Sequence, residues 1–361
     1  MKIEMIKYPS INGLRAISIL LVIFHHLSIK EFLFSGTEKV EWLFPLTSFL
    51  QDGHLGVNVF FVISGFLITS LMLNEETTTN TISLRNFYIR RTLRIFPAYY
   101  FLLIVYFILQ LFQILYISNE SWLTAITYTK YFNWKLDWIT AHAWSLSIEE
   151  HFYLFWPLIF IHARQFRKKI VIALILTVPI IRVVLFFHPI SWMDELTIFT
   201  RIDSIATGCL FALYKDEILE KIQKHWLKLF YVSVITIFSL PVLIIIMNKI
   251  NLGFVFIPLG TTHGTIANFM IGFLMMYSIF GPRKLWFKFL NLKVINYIGL
   301  LSYSIYLWQQ MFISGPNNLG TTYPQNLLFI FIMAMVSYHL IEKPFLKLKT
   351  KFVVIKEQAS H

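Results

Sequence analysis

Long apolar runs recur along the whole chain and are separated by short polar segments. A helix rises 1.5 Å per residue, so crossing about 30 Å of hydrocarbon takes roughly 20 apolar residues. Runs of about this length lie near 11–29, 53–73, 96–117, 142–162, 170–188, 198–214, 229–247, 253–280, 295–314 and 325–342. The pattern predicts an all-α, polytopic integral membrane protein with about ten transmembrane helices. We expect one transmembrane domain over 1–345, followed by a basic cytoplasmic tail over 346–361.

Basic residues are distributed unevenly among the segments that join these runs. Taking the segments alternately, 23 Lys and Arg residues fall on one side and 5 on the other. Lys and Arg accumulate in cytoplasmic loops, so the basic side is predicted to be the cytoplasm. Both termini are therefore predicted to be cytoplasmic, in a bacterial cytoplasmic (inner) membrane.

The composition supports this interpretation of the charge. The 361 residues are 57% hydrophobic and 14% charged, and their mean hydropathy is +0.65, whereas soluble proteins carry charge on about a quarter of their residues. The net charge of +12 is therefore attributed to membrane orientation, and no nucleic-acid partner is expected. Cys209 is the single cysteine, which excludes an internal disulfide and a multi-thiolate metal site. No metal is expected.

The first run contains polar side chains where lipid would otherwise lie. Arg15 and His26 are eleven residues apart, so at 100° per residue they are only about 20° off the same helix face. His25 points to a different face. Intramembrane charges commonly mark a site or a pathway, although two histidines here are equally compatible with a simple cap at the membrane interface.

Three arginines cluster at the start of the third run. Arg90, Arg91 and Arg94 lie within five residues, and guanidinium groups bind phosphate oxygens bidentately. The alternative is an ordinary positive-inside anchor that contacts lipid headgroups.

Two adjacent carboxylates occupy the fourth run. Glu149 and Glu150 follow Trp144 and Ser145 in AWSLSIEEHFYLFWP, and a carboxylate beside a histidine can orient its imidazole and stabilise the imidazolium. A structural ion pair is the alternative explanation.

Two later runs also contain buried polar pairs. Arg201 and Asp203 lie in the sixth, and Gln309 and Gln310 in the ninth. Each pair alone is compatible with a mutual contact or an interfacial cap. With the predicted topology, however, these pairs, the histidines and the glutamates all fall in the outer half of the membrane, opposite the arginine cluster.

Taken together, these segments resemble the acyltransferase-3 family of bacterial membrane proteins. The resemblance rests on GLRAISILLVIFHH, GVNVFFVISGFLIT, RRTLRIFPAYY, WSLSIEEHFYLFWP, RIDSIATG, LSYSIYLW and IEKPF, in this order. It implies transfer of an acyl group, most often acetyl, from cytoplasmic acyl-CoA to a hydroxyl of a cell-surface glycan such as lipopolysaccharide O-antigen or capsule. Acetyl-CoA would be a donor substrate, with no tightly bound cofactor, and membrane lipid would surround the protein.

The resemblance also assigns roles by position. It implies that His26 is the essential histidine with Arg15 as its motif partner, and that Arg90, Arg91 and Arg94 meet the coenzyme phosphates. Where relatives often carry a histidine after YLW, this chain has Gln309, so no proton-transfer role is assigned there. Some family members carry an extracytoplasmic hydrolase-like domain, which we do not expect within these 361 residues.

The mechanistic hypothesis places His26 as a general base or as a transiently acylated group. Glu149 or Glu150 would orient it, and Arg15 would contribute to the catalytic set. Candidate acceptor-binding residues are polar or aromatic side chains in the same runs: His25, Trp144, Ser145, Arg201, Asp203, Tyr303 and Trp308. The alternatives are a small-molecule or lipid-linked acceptor, and a proton-coupled transporter. The arginine cluster and the absence of evident paired half-sequences argue against a transporter.

Overall fold

The computed structural model describes residues 8–27, 53–133, 137–190, 197–249, 257–313 and 323–352. Its α-helices, in chain order, are α1 Ile11–His26, α2 Gly53–Thr79, α3 Leu84–Leu111, α4 Asn119–Ile126, α5 Ala143–His162, α6 Arg167–Phe187, α7 Ile198–Leu213, α8 Lys215–Ile222, α9 Trp226–Lys249, α10 Ile257–Phe280, α11 Leu285–Leu290, α12 Lys293–Phe312, α13 Gln325–Val336 and α14 Lys343–Lys349. A π-helical segment, Ser337–Glu342, joins α13 to α14. The predicted all-α class is confirmed for the described part of the chain.

Each of the ten apolar runs overlaps one of these helices. Six stretches are long and apolar enough to cross a membrane: Gly53–Thr79, Leu84–Leu111, Arg164–Phe187, Trp226–Ile244, His263–Phe280 and Gln325–Phe352. The chain is thus a helical membrane protein, while the count of ten spans stays a prediction. Both termini lie outside the described residues, so their predicted location is untested. The predicted boundary at residue 345 falls within α14, and the division made there also stays a prediction.

The third helix differs from the expected span over 96–117. It begins at Leu84, where the Ser83 side chain accepts a hydrogen bond from the backbone N–H of Asn86, the usual role of an N-cap serine. It ends at Leu111, and Gln113 then adopts a left-handed backbone with φ 57°. The arginine cluster therefore lies inside the helix and not in a loop before it.

After this reversal the chain runs back along α3. The hydroxyl of Tyr99 donates to the carbonyl oxygen of Ala125 at 2.8 Å, and that of Tyr100 to Ile126 at 3.0 Å. Tyr99 lies twelve residues before the end of α3, so the end of α4 returns by about 18 Å along the helix axis. A segment that sequence analysis treated as an outer loop thus packs against the side of a candidate span.

The described helices form two compact units. The arginine unit comprises residues Ile68–Arg167 and Tyr303–His361, and the histidine unit comprises Tyr8–Leu67 and Lys168–Ser302. The first is named for Arg90, Arg91 and Arg94, and the second for His25 and His26.

Ion pairs hold the polar parts of the arginine unit. Arg167 binds Glu76 through both terminal nitrogens, at 2.7 and 2.9 Å. Lys130 has a fully buried side chain and donates to Asp137 at 2.6 Å. Asp137 also accepts hydrogen bonds from the backbone N–H and the hydroxyl of Thr140. These contacts hold the segment that precedes α5.

Glycines bring two helices of the histidine unit into backbone contact. A Cβ atom on Gly65 of α2 would collide with the carbonyl oxygen of Ile205, and one on Gly208 of α7 with that of Val62. Small residues that permit close backbone approach are a common basis of helix association in membranes. The approach positions α7, which carries two of the candidate site residues.

Candidate functional site

A histidine cluster lies in the histidine unit, where α1 ends and α2 begins. The rings of His25 and His26 are 5.2 Å apart between centroids, and His25 lies 6.1 Å from the ring of His54. A Cβ on Gly53 would be only 2.5 Å from the His25 ring, so glycine is required for this approach. The predicted residues His25 and His26 thus meet a third histidine that sequence analysis missed.

Two further groups complete the cluster. His54 interacts electrostatically with Arg201 of α7, with His263 of α10 and with both histidines of α1. The cluster therefore places a permanent positive charge near His54, which also interacts with the three other imidazoles. An imidazole can take a hydroxyl proton, and a guanidinium can stabilise a developing oxyanion. Among the residues that the structure describes, no three His, Cys, Asp or Glu side chains are arranged to hold a metal ion.

Asp203, predicted as an acceptor-binding residue beside Arg201, lies in a different environment. Its side chain is 0% exposed, and it accepts hydrogen bonds from Arg182 at 2.8 Å, Thr265 at 2.6 Å and Asn268 at 3.2 Å. All of these donors are protein groups, which gives Asp203 a structural role in joining α6, α7 and α10. Its neighbour two positions earlier faces the other way, as helical geometry requires.

Arg15 and His26 are both half-buried on α1. Eleven residues separate them, which is about 16 Å along the helix axis. Arg15 therefore lies at another depth of the unit, and a direct role beside His26 is not supported by this spacing along the helix.

The three arginines of the predicted phosphate site have different surroundings in the arginine unit. Arg90 donates to the carboxylate of Glu75 at 2.9 Å and to the carbonyl oxygen of Phe352 at 2.9 Å. Arg91 lies over the rings of Phe87 and Tyr153, at 5.6 and 5.2 Å from their centroids. Arg90 is thus already held by protein acceptors, whereas Arg91 is oriented mainly by aromatic faces.

The glutamate pair lies beside this cluster, which corrects the expectation that the two are on opposite sides of the membrane. Glu150 interacts electrostatically with Arg91 and with Glu149. One oxygen of Glu150 is buried and has no hydrogen-bond partner among the described residues. The glutamates and His26 belong to different units, so orientation of His26 by either glutamate stays a prediction.

Glu342 is a further carboxylate of this region that sequence analysis missed. It is buried at the end of the π-helical segment, accepts a hydrogen bond from the Ser304 hydroxyl, and interacts electrostatically with Arg94. A π-helical segment shifts the residues that follow it relative to a regular helix, and such segments are frequent at functional sites. Among the described residues, carboxylates that interact with the arginine cluster thus include Glu75, Glu150 and Glu342.

The remaining predicted residues belong to the arginine unit as well. Tyr303 donates to the carbonyl oxygen of Ile95 at 2.9 Å, and Ser145 lies 2.6 Å from the hydroxyl of Tyr306. Trp144 is buried. Trp308 is fully buried against Phe101, and its indole N–H has no hydrogen-bond partner among the described residues. Buried N–H groups are nearly always paired, so the indole N–H of Trp308 is an exception in the described structure.

Comparison with known proteins identifies the chain's relatives. The Acyltransferase domain family Acyl_transf_3 matches residues 8–340. O-acetyltransferase OatA of Staphylococcus aureus (strain NCTC 8325 / PS 47) is 30% identical over 380 aligned residues, which cover 94% of this chain and 57% of that protein. Putative O-acetyltransferase SACOL0978 of Staphylococcus aureus (strain COL) is also 30% identical, over 368 residues and the same two shares.

The chain therefore spans little more than half the length of these curated relatives. No solved structure matches it significantly. The predicted family is confirmed: this chain belongs to the acyltransferase-3 family.

Proposed function

We propose that the chain is a membrane-embedded O-acyltransferase that moves an acetyl group from acetyl-CoA to a hydroxyl of a cell-surface glycan. The family match over residues 8–340 carries the reaction class. In this reaction the acceptor oxygen attacks the thioester carbonyl carbon, the carbon–sulfur bond breaks, and the hydroxyl proton passes through a base to the departing thiolate.

The arginine cluster is the proposed donor site. A coenzyme phosphate needs guanidinium donors that a direct ion pair does not already occupy, and Arg90 forms such a pair with Glu75 at 2.9 Å. Arg91 and Arg94 are therefore the proposed phosphate ligands. Glu342 is a positioning residue for Arg94, because it holds a buried negative charge near that guanidinium.

The histidine cluster is the proposed base. His26 takes the acceptor proton or carries the acetyl group as an intermediate, and Arg201 stabilises the oxyanion that forms on the thioester carbonyl. Rapid-quench experiments with radiolabelled acetyl-CoA separate these routes. Acylated protein trapped in wild type and absent in His26→Ala supports the relay, whereas no trapped species during active turnover supports direct transfer.

The proposal also fixes an orientation, with the arginine cluster and both termini at the cytoplasmic face of the bacterial cytoplasmic membrane. Cysteine accessibility tests it. In a Cys209→Ala background, a cysteine introduced at exposed Lys284, in a predicted cytoplasmic segment, should react with impermeant maleimide only after the cells are opened. Labelling in intact cells would reverse the orientation.

Purified protein in detergent tests the activity itself. An acyltransferase releases coenzyme A thiol from acetyl-CoA and esterifies an acceptor, whereas a transporter does neither. The readout is thiol release together with ester formation. His26→Ala serves as the inactive control, and its thermal unfolding must match wild type.

A further inference from the structure

A groove of about 540 Å³ lies in the arginine unit, between α3 and α4. Its volume falls within the range of small-molecule binding sites, roughly 300–1,000 Å³. The returning segment creates it, because α4 lies along α3 and is joined to it near one end by the hydroxyls of Tyr99 and Tyr100. The residues that line it are Tyr100, Leu103, Ile104, Phe107, Gln110, Asn119, Trp122 and Ile126.

The two ends of the groove differ in chemistry. Leu103, Ile104 and Phe107 form an apolar floor, and Gln110 and Asn119 lie at the end remote from the arginine cluster. From Tyr100 to Gln110 the groove extends about 15 Å along the axis of α3. It is therefore a long apolar groove with two side-chain amides at one end.

The walls are held in place by hydrogen bonds. The Trp122 indole N–H and the backbone N–H of Ile117 both donate to the side-chain oxygen of Gln110, each at 3.0 Å. Phe107 packs edge-on against Trp122, with ring centroids 6.2 Å apart. A ligand thus meets a preformed aromatic wall and gives up little free energy in ordering it.

Hydrogen-bonding capacity remains at the amide end. The oxygen of Gln110 accepts two hydrogen bonds, and its NH₂ group supplies two donors. Asn119 is exposed, so its amide is accessible at this end of the groove. Together they offer donors and an acceptor at the mouth of an apolar channel. No charged residue is among the eight that line it.

We propose that this groove binds a neutral glycolipid, with the apolar chain along α3 and the adjoining uncharged sugar on Gln110 and Asn119. An alkyl chain matches the apolar floor, and sugar hydroxyls match the donors and acceptors of the Gln110 and Asn119 amides. A phospholipid headgroup would place its phosphate at a site where none of the eight lining residues is a cation. This inference rests on the proposed function, since it identifies the acceptor as a lipid-linked glycan.

Photo-crosslinking of the full chain in lipid nanodiscs tests this assignment. The probe is dodecyl maltoside with a diazirine in its alkyl chain, and crosslinked peptides are identified by mass spectrometry. Label is expected on α3 and α4. It should be competed by dodecyl maltoside but not by maltose or by phosphatidylglycerol.

Matched variants give the specificity. Ile104 lines the groove and is 57% exposed, whereas Ile108, one turn later and 45% exposed, does not line it. Ile104→Trp fills the channel and should weaken labelling about ten-fold, the factor that corresponds to 1.4 kcal/mol. Ile108→Trp should leave labelling unchanged. Asn119→Ala should weaken it about three- to ten-fold, as expected for loss of a hydrogen bond.

Thiol release from acetyl-CoA, measured on the same samples, keeps the two proposals apart. Labelling of the groove without thioester turnover would refute the proposed function and retain the glycolipid site. Turnover with label spread evenly over the lipid-facing helices, or with equal competition by phosphatidylglycerol, would overturn the glycolipid site alone. Equal labelling of both tryptophan variants would overturn it as well.

Discussion

Replacement of Asp203 should destabilise the histidine unit without directly affecting chemistry. The carboxylate is fully buried and joins three helices through Arg182, Thr265 and Asn268. Asp203→Ala leaves a guanidinium with 15% side-chain exposure without its counter-ion, and removes the acceptor of two buried donors. We therefore expect the free energy of unfolding to fall.

The structure sets the size of this effect. Removing one partner of a buried ion pair costs about 3–5 kcal/mol. Arg182 keeps two hydrogen bonds to the carbonyl oxygen of Thr200, at 2.9 and 2.6 Å, which places the loss near the lower limit, at about 3 kcal/mol. Asp203→Asn retains the shape and one acceptor, so its loss should be about half of that, within the range for one charged hydrogen bond.

The assay is reversible unfolding in mixed micelles of a mild detergent and sodium dodecyl sulfate. Arg201→Gln is the matched control, because it lies two residues away on the same helix and interacts with His54. It should abolish most acetyl transfer and change the free energy of unfolding by less than about 0.5 kcal/mol. An Asp203→Ala protein as stable as wild type, or an Arg201→Gln protein equally destabilised, would refute this division of roles.

Substitutions at Arg91, Asp137 and Gly208 test three other parts of the structure. Arg91→Gln should raise KM for acetyl-CoA about ten-fold or more. It should leave KM unchanged for acetyl-pantetheine, which lacks the nucleotide phosphates. Arg90→Gln should mainly lower the unfolding temperature, and equal KM effects in the two variants would contradict the assignment. Burial raises the pKa of Asp137, but the ammonium of Lys130 and the hydrogen bonds to Asp137 lower it by more. The net pKa is therefore below its ordinary value. The stability that Asp137 contributes is therefore present above its unfolded pKa of about 3.9 and is lost as the pH falls through the folded pKa. The unfolding-temperature difference between wild type and Asp137→Asn should shrink as the pH falls from 6 to 3. A constant difference would exclude this coupling. Gly208→Leu should separate α2 from α7, because even a Cβ there collides with backbone, and should reduce both folded yield and unfolding temperature; wild-type stability of this variant would show that the close approach is not needed.

Local patterns in the sequence predicted the helices well. The ten apolar runs fall on α1, α2, α3, α5, α6, α7, α9, α10, α12 and α13, because continuous apolar composition is a local property. The end of α3 was predicted wrongly, since the apolar residues from Phe112 to Ile117 continue the hydrophobic pattern after the backbone has reversed. Hydropathy does not distinguish a chain that crosses lipid from one that returns along its own helix.

The site residues show the same limit. His25 and His26 were found because two adjacent histidines in an apolar helix stand out. His54 and His263 were missed because each is a lone histidine near a helix end, and only packing of α2 and α10 brings them into the cluster. The proximity of Glu150 to Arg91 depends on the antiparallel register of α3 and α5, where Tyr88 donates to the carbonyl oxygen of Leu154. No spacing within either segment encodes that register.

Transfer of labelled acetyl to glycan tests the central proposal most directly. Membranes containing wild type or His26→Ala at equal folded amounts are supplied with [¹³C]acetyl-CoA, and O-acetyl ester in surface glycan is measured by NMR. The account predicts ester signal with wild type and a loss of about 10²- to 10⁴-fold with His26→Ala, the contribution typical of a general base. Equal ester signal from both proteins, or no consumption of acetyl-CoA by wild type, would contradict it.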